Sequence, residues 1–211
     1  DPARLAELGA PGSPWVGIDD RSAAAALAEH VLSLGHRRLG VVCFGLHHRP
    51  TRGLVDEETQ SAATYLVSRR RLAGFRDAAL RAGLDWARVP VAQGTDSTVE
   101  DGAAGAATVL ATKPRPTALL CLSDRLAAGA LRVAERLGLR VPDDVSIAGF
   151  DDAPPAADLG LTTIRQPNRT KGELATGALL GLLDRSPLEP VQTLPTELVA
   201  RASTGPAPGR R

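Results

Sequence analysis

Short apolar runs alternate with longer amphipathic ones along most of this 211-residue chain. That alternation predicts an α/β fold, parallel strands joined by crossover helices. "PWVGI", Pro14 to Ile18, predicts a strand, and "RSAAAALAEHVLSLG" a helix with Ser22 as its N-cap and Gly35 as its stop. "RRLGVVCF" predicts the next strand, Arg71 to Ala82 a helix closed by Gly83, and "RVPVAQG" a further strand. A helix over Val99 to Ala111 leads through "TKPRP" into the strand "TALLCLS". The plainest helix follows: Asp124 can cap it, and Leu126, Leu131, Val133, Ala134 and Leu137 form a broad apolar face before Gly138. "VSIAGF" is then a strand, "LTTIRQP" a crossing strand, Arg169 to Leu183 a last helix, and "VQTLPTELVARAS" ends in strand-like pieces. The closing "TGPAPGRR" is expected to be a disordered tail. Leu46 to Ser68 lacks sustained periodicity and reads as a long loop, functional or mobile.

The ends of these strands carry the candidate chemistry. Val145 to Phe150 stops at two adjacent acids, Asp151 and Asp152, and then at a proline pair that no strand or helix interior tolerates. In open α/β sheets ligands bind outside the carboxyl ends of the strands. Asp19 and Asp20 follow "WVGI", and Ser123 and Asp124 follow "LLCL". Carboxylates only accept hydrogen bonds and arginine is a fixed fork of donors, so a ring of both satisfies the paired hydroxyls of a sugar. The bland alternative is that each aspartate caps the next helix. It is the stronger reading for Asp20 and Asp124, and weaker for Asp151, because Ala-Pro-Pro is a poor start for a long helix.

Composition narrows the function classes. The formal net charge of +1 leaves no electrostatic footprint for gripping nucleic acid or a membrane surface. Aromatic residues are 3% of the chain, too few for a platform that stacks single-stranded bases. Cys43 and Cys121 each lie in an apolar run and read as buried, reduced thiols. No GxGxxG or GxxxxGK[ST] phosphate loop and no GxSxG elbow occurs, and the glycines of "DGAAGAA" are expected to permit close packing. His47 and His48 lack the partner spacing of a metal site, and His36 in "GHRR" reads as structural. No metal and no cofactor is expected. No run approaches the ~18 apolar residues of a membrane span, and no signal peptide opens the chain. With no Met and an opening "DPARLAELGAP", the sequence reads as a fragment.

In order, "WVGIDD", "LGHRRLGVV", "RLAGFRDAALRAGL", "PTALLCLSDRLAAGALRVAERLGLRVPDDVSIAGFDD", "LTTIRQP" and "ELVARAST" resemble the effector-binding core of LacI/GalR-type transcriptional regulators. The resemblance covers nearly the whole chain, interrupted at the long loop. It implies the two-lobed fold of periplasmic sugar-binding proteins: parallel sheets flanked by helices, crossing strands, and the ligand in the cleft. Only part of the N-terminal lobe would be present, in residues 1–20 and 165–192, with 21–164 and 193–205 as the C-terminal lobe and 206–211 as the tail. The family's effector contacts fall on Asp19, Arg71, Ser123 and Asp151, with Gln166 in the hinge crossing; Asp152 is then a structural neighbour. An aromatic that often lids the sugar is not evident in "QGTDSTVEDG".

The resulting expectation is a cytoplasmic, non-enzymatic ligand-sensing core. It binds a small effector, a sugar or alternatively a purine, and forms a homodimer. Operator DNA would be reached only through an absent helix-turn-helix domain. The resemblance places the dimer patch on the outer face of the helix from Asp124 and on Pro154 to Leu159, with Leu126, Leu131 and Leu159 exposed. The alternatives are an extracytoplasmic sugar-binding protein of a transport system and, further behind, a sugar-modifying hydrolase.

Overall fold

The computed structural model describes residues 14–184 and 191–209. The chain forms two compact units, Asp1–Asp19 with Gln166–Thr196 and Asp20–Arg165 with Glu197–Arg211, and passes between them at 19/20, 165/166 and 196/197.

The larger unit is built on a five-stranded sheet of order β3-β4-β2-β5-β6. Its strands are β2 (Leu39–Cys43), β3 (Gly53–Leu54), β4 (Val91–Gln93), β5 (Ala118–Cys121) and β6 (Ser146–Ala148). β2, β4, β5 and β6 run parallel, and β3 adds an antiparallel edge. Every residue of β2 and β5 is buried, which is why their sequences are unbroken apolar runs rather than alternations. The helices on this sheet are α1 (Asp20–Ser33), α3 (Leu66–Arg81), α4 (Val99–Ala111) and α5 (Asp124–Arg136); short α2 (Glu57–Ser61) and α6 (Pro155–Asp158) lie in connections. A small antiparallel pair, β7 (Thr163–Arg165) and β9 (Glu197–Val199), belongs to the same unit. The smaller unit holds β1 (Trp15–Ile18) paired in parallel with β8 (Val191–Leu194), and α7 (Asn168–Asp184), whose Leu179, Leu180, Leu182 and Leu183 are exposed.

Helix packing explains the glycines of "DGAAGAA". A Cβ on Gly102 would collide with the Leu126 carbonyl, and one on Gly129 with the Val99 carbonyl, so α4 and α5 lie backbone against backbone. His36 is fully buried, with Nδ1 2.9 Å from the Thr117 hydroxyl and Nε2 3.0 Å from both the Ser146 hydroxyl and the Gly205 carbonyl. Burial lowers its pKa, with Arg38 adding and the Gly205 bond opposing, so it is a neutral crosslink between strand starts and the C-terminal segment. Cys43 and Cys121 are free, wholly buried thiols on neighbouring strands.

Several expectations need correction. Ser22 does not cap α1, which already begins at Asp20. α3 starts at Leu66 rather than Arg71. Asp124 does not cap α5; the Ser123 hydroxyl does, accepting from the Leu126 amide at 3.3 Å. The segment 46–68 is no featureless loop: it contains β3 and α2, and buried Leu46 anchors it by accepting from the Thr64 and Tyr65 amides. The tail expected from 206 is anchored at Ala207, which is buried and whose amide donates to the Leu34 carbonyl, while Pro206, Pro208 and Gly209 are exposed; Arg210 and Arg211 lie outside the described residues. Thr193–Thr196 stay with the smaller unit because β8 pairs with β1, while Asp20 and Arg165 go with the larger.

Candidate functional site

The parallel strands of the larger unit end on one edge, and the connections leaving it hold most of the expected contacts. Arg71 is the centre. It sits in the second turn of α3, 5% exposed, where a lone guanidinium would be costly. Four neighbours receive it. Nε donates to Asp20 Oδ1 at 2.8 Å; Nη1 donates to the Leu122 carbonyl at 2.6 Å and to Asp151 Oδ1 at 3.2 Å. The guanidinium carbon lies 3.6 Å from the centre of the Phe150 ring, a cation–π contact in a desolvated place.

Asp151 follows β6 and is the more open partner, its side chain 30% exposed against 6% for Arg71. Its backbone is unusual. Asp151 and Asp152 have φ of 117° and 52°, and they are the described non-glycine residues with positive φ. Such conformations cost about 1–3 kcal/mol each and persist only where the surroundings over-determine them. Part of that determination is visible: the Asp151 amide donates to the Ile164 carbonyl at 2.9 Å.

Asp152 faces a different set. It accepts from Arg165 Nε at 2.7 Å and pairs with Arg201 at 2.8 Å, its side chain 10% exposed. Burial works against its ionised form, but Arg165 and Arg201 outweigh that and hold its pKa below the ordinary carboxylate value. It ties β6 to the β7–β9 pair and has little left for a ligand.

Of the residues expected at an effector site, Arg71 and Asp151 touch, and Ser123 leaves the end of β5 on the same edge. Its hydroxyl caps α5 and shares a 2.7 Å bond with the Ser97 hydroxyl. Asp19 and Gln166 belong to the smaller unit; Gln166 there accepts from Lys171 Nζ at 3.0 Å. Sequence reasoning missed Asp20, read as a helix cap, which turns out to hold Arg71. It also missed Phe150 under the guanidinium and Arg201 on Asp152. Phe150 stands next to the acids in the motif and was there to be found; Arg201 lies 49 residues away and had no local signal. No group of three or more His, Cys, Asp or Glu able to hold a metal ion occurs among the described residues, and none of their helices is long and apolar enough to cross a membrane.

An α/β unit with polar side chains gathered at the carboxyl edge of a parallel sheet defines a periplasmic-binding-protein-like core. The chain matches the periplasmic binding protein-like domain family over residues 28–204. It is 39% identical over 195 residues to the HTH-type transcriptional regulator Rv3575c of Mycobacterium tuberculosis, covering 92% of this chain and 54% of that protein. A LacI-family transcriptional regulator from Corynebacterium glutamicum superposes with a TM-score of 0.85 at 31% identity, over 92% of this chain and 56% of that one. A LacI-family regulator from Enterococcus faecium, solved with bound ribose, gives 0.75 at 25% identity, over 97% of this chain and 74% of that one. The chain belongs to the LacI family of transcriptional regulators, of which it is an effector-binding core. It spans about half the length of the curated relatives it matches.

Proposed function

We propose that this core senses a small neutral polyhydroxyl effector, a sugar, through Asp151 and Arg71, with Ser123 on the same sheet edge. The reading rests on one observation above all, a buried arginine shared between Asp20 and a strained, half-open Asp151. Two carboxylates share the one guanidinium of Arg71 and leave the cluster net negative, so it offers acceptors beside a donor fork, which suits hydroxyls and disfavours a phosphate or a carboxylate. Effector binding would control operator binding by a helix-turn-helix domain outside this chain, in a cytoplasmic protein with no catalytic role. Relatives named as transcriptional regulators favour this over a transport binder.

The partner of the core is proposed to be a second copy. A groove of about 660 Å³ runs along the outer face of α5 and past α6, lined by Ala128, Leu131, Ala153, Pro155 and Leu159 among others. Leu159 is 43% exposed, whereas Leu126, expected in this patch, is fully buried and takes no part.

Thermal shift against ribose, other monosaccharides and purine nucleosides tests the effector reading. At about 100 times Kd a bound sugar should stabilise the protein by roughly 2.7 kcal/mol. Asp151→Gly should abolish that shift. A purine nucleoside that stabilises the protein where no sugar does would replace the sugar reading.

A further inference from the structure

Asp124 lies outside the proposed effector contacts, yet it grips the turn that carries one of them. It is the first residue of α5, 4% exposed. Its amide donates to the Phe150 carbonyl at 2.8 Å. Its carboxylate reaches the far side of the same turn, where Oδ2 accepts from the Ala153 amide at 2.7 Å. Oδ1 accepts from the Thr163 hydroxyl at 2.6 Å, and that hydroxyl in turn accepts from the Asp152 amide at 3.3 Å. The approach depends on Gly149, where a Cβ would collide with Asp124 Oδ1. Between the anchors at Phe150 and Ala153 sit the two residues with left-handed φ.

We propose that Asp124 is the positioning residue of the effector site: its ionised carboxylate, bonded to Ala153 and Thr163, holds Asp151 in the backbone conformation that keeps its side chain on Arg71. The role at an effector site rests on the proposed reading of Asp151; the clamp itself does not. Three bonds over four residues supply the over-determination that a strained turn requires.

The clamp is complete only in one charge state. A carboxylate accepts at both oxygens, whereas a protonated carboxyl turns one of them into a donor and loses an anchor. No cation pairs with Asp124 among the described residues. Asp151 and Asp152 face it from the turn and Cys121 from β5; Arg71 is engaged by Asp20 and Asp151, Arg165 and Arg201 by Asp152. Arg125 and Asp158 line the same groove as Asp124 on the outer face. Burial, joined by the charges of Asp151 and Asp152, pushes its pKa up to about 6 against the bonds from Thr163 and Ala153. The clamp therefore closes above about pH 6 and opens below it.

The amide resonances of Asp151, Asp152 and Ala153, followed by NMR from about pH 5 to about pH 7.5, test this directly: the Ala153 amide is bonded to the titrating carboxylate, the Asp152 amide to the Thr163 hydroxyl that the carboxylate holds, and the Asp151 amide reports the turn between them. All three should shift together with a midpoint near 6, and the transition should vanish in Asp124→Asn. Thr163→Val removes one of the two bonds that favour the ionised form and should raise the midpoint. In a second measurement, ribose affinity of the parent should fall about tenfold over that range, since one unit below a pKa about a tenth of the molecules remain ionised. Asp124→Asn should bind ribose independently of pH. A transition that survives in Asp124→Asn, or ribose binding that ignores the titration, overturns the proposal. If the amides titrate together but no sugar binds at any pH, the sugar reading fails while the clamp on Asp151 stands.

Discussion

Replacing Arg71 by Ala should cost the fold far more than replacing the acid it shares. Arg71 is 5% exposed, and its loss strands Asp20, 8% exposed, together with the Leu122 carbonyl. Breaking a buried pair from one side costs about 3–5 kcal/mol, because the remaining charge has no solvent to return to. The carbonyl bond and the Phe150 contact belong to the same network, so their contributions are not added on top. For a chain of this size each kcal/mol moves Tm by about 2–4 °C, which gives a drop of roughly 6–20 °C. Asp151→Gly is the contrast. Its side chain is 30% exposed, so the ion pair lost is worth no more than about 1 kcal/mol. Glycine also relieves the strain at φ 117°, which costs on the order of 1 kcal/mol or more, so the two effects nearly cancel. Urea denaturation of both variants and the parent, monitored by far-UV circular dichroism, decides the matter. The reasoning fails if Arg71→Ala stays within about 0.5 kcal/mol of the parent, as a surface change would, or if Asp151→Gly proves the more damaging of the two.

Asp152→Ala leaves Arg165 and Arg201 without their shared carboxylate and should lower Tm while Asp151 keeps its effector response; calorimetric titration with ribose would reveal an error, as a loss of binding without a loss of stability. His36 has a folded pKa below 6.5, so the folded state resists protonation and stability is present above about pH 6.5 and lost as pH falls through and below it. Asp124, with its raised pKa, contributes in the opposite sense, favouring the fold as pH drops below about 6. Comparing urea midpoints at neutral and mildly acid pH in the parent and in His36→Gln should therefore show a smaller acid loss in the variant, where Asp124 is opposed by His30 alone of the two histidines whose pKa burial lowers. Gly129→Ala forces a methyl into the Val99 carbonyl and should destabilise by about 1–3 kcal/mol, with the α4–α5 pair as the first region to exchange its amide hydrogens. Leu159→Glu places charge in the groove proposed as the contact with a second copy; light scattering should give pairs for the parent and single chains for the variant, with Tm at low concentration unchanged, and single chains for both would refute the contact.

The strands were the most legible part of this chain, because burial on both faces leaves β2 and β5 as uninterrupted apolar runs bounded by turns. α4 was equally clear, its boundaries coinciding with the Val99 to Ala111 pattern. Helix starts were less so. Ser22 and Asp124 are both good caps in isolation, yet Asp20 and Asp124 were claimed by partners distant in sequence, Arg71 and the pair Thr163 and Ala153. Local cap preference is worth about 1 kcal/mol, and a buried ionic or hydrogen-bonded contact outbids it. The proximity of Arg71 and Asp151 could be read only through the family resemblance, since they stand 80 residues apart. The left-handed backbone at Asp151 and Asp152 had no signal in composition or periodicity; glycine is the usual marker of such a turn, and here the marker is displaced to Gly149, where it serves a close approach instead.

The two thiols give this chain a clock of its own. Cys43 and Cys121 lie on adjacent strands at the middle of the larger sheet, and burial pushes both thiols far from ionisation. A disulfide reagent in solution can reach neither until the packing over the faces of the sheet opens. Its reaction rate therefore counts openings of the unit's core. At low reagent the rate follows the equilibrium population of the opened form, and at high reagent it follows the opening rate itself. A ligand that tightens the unit should slow the first without any label being introduced, and the chain then reports occupancy through chemistry that evolution left sealed.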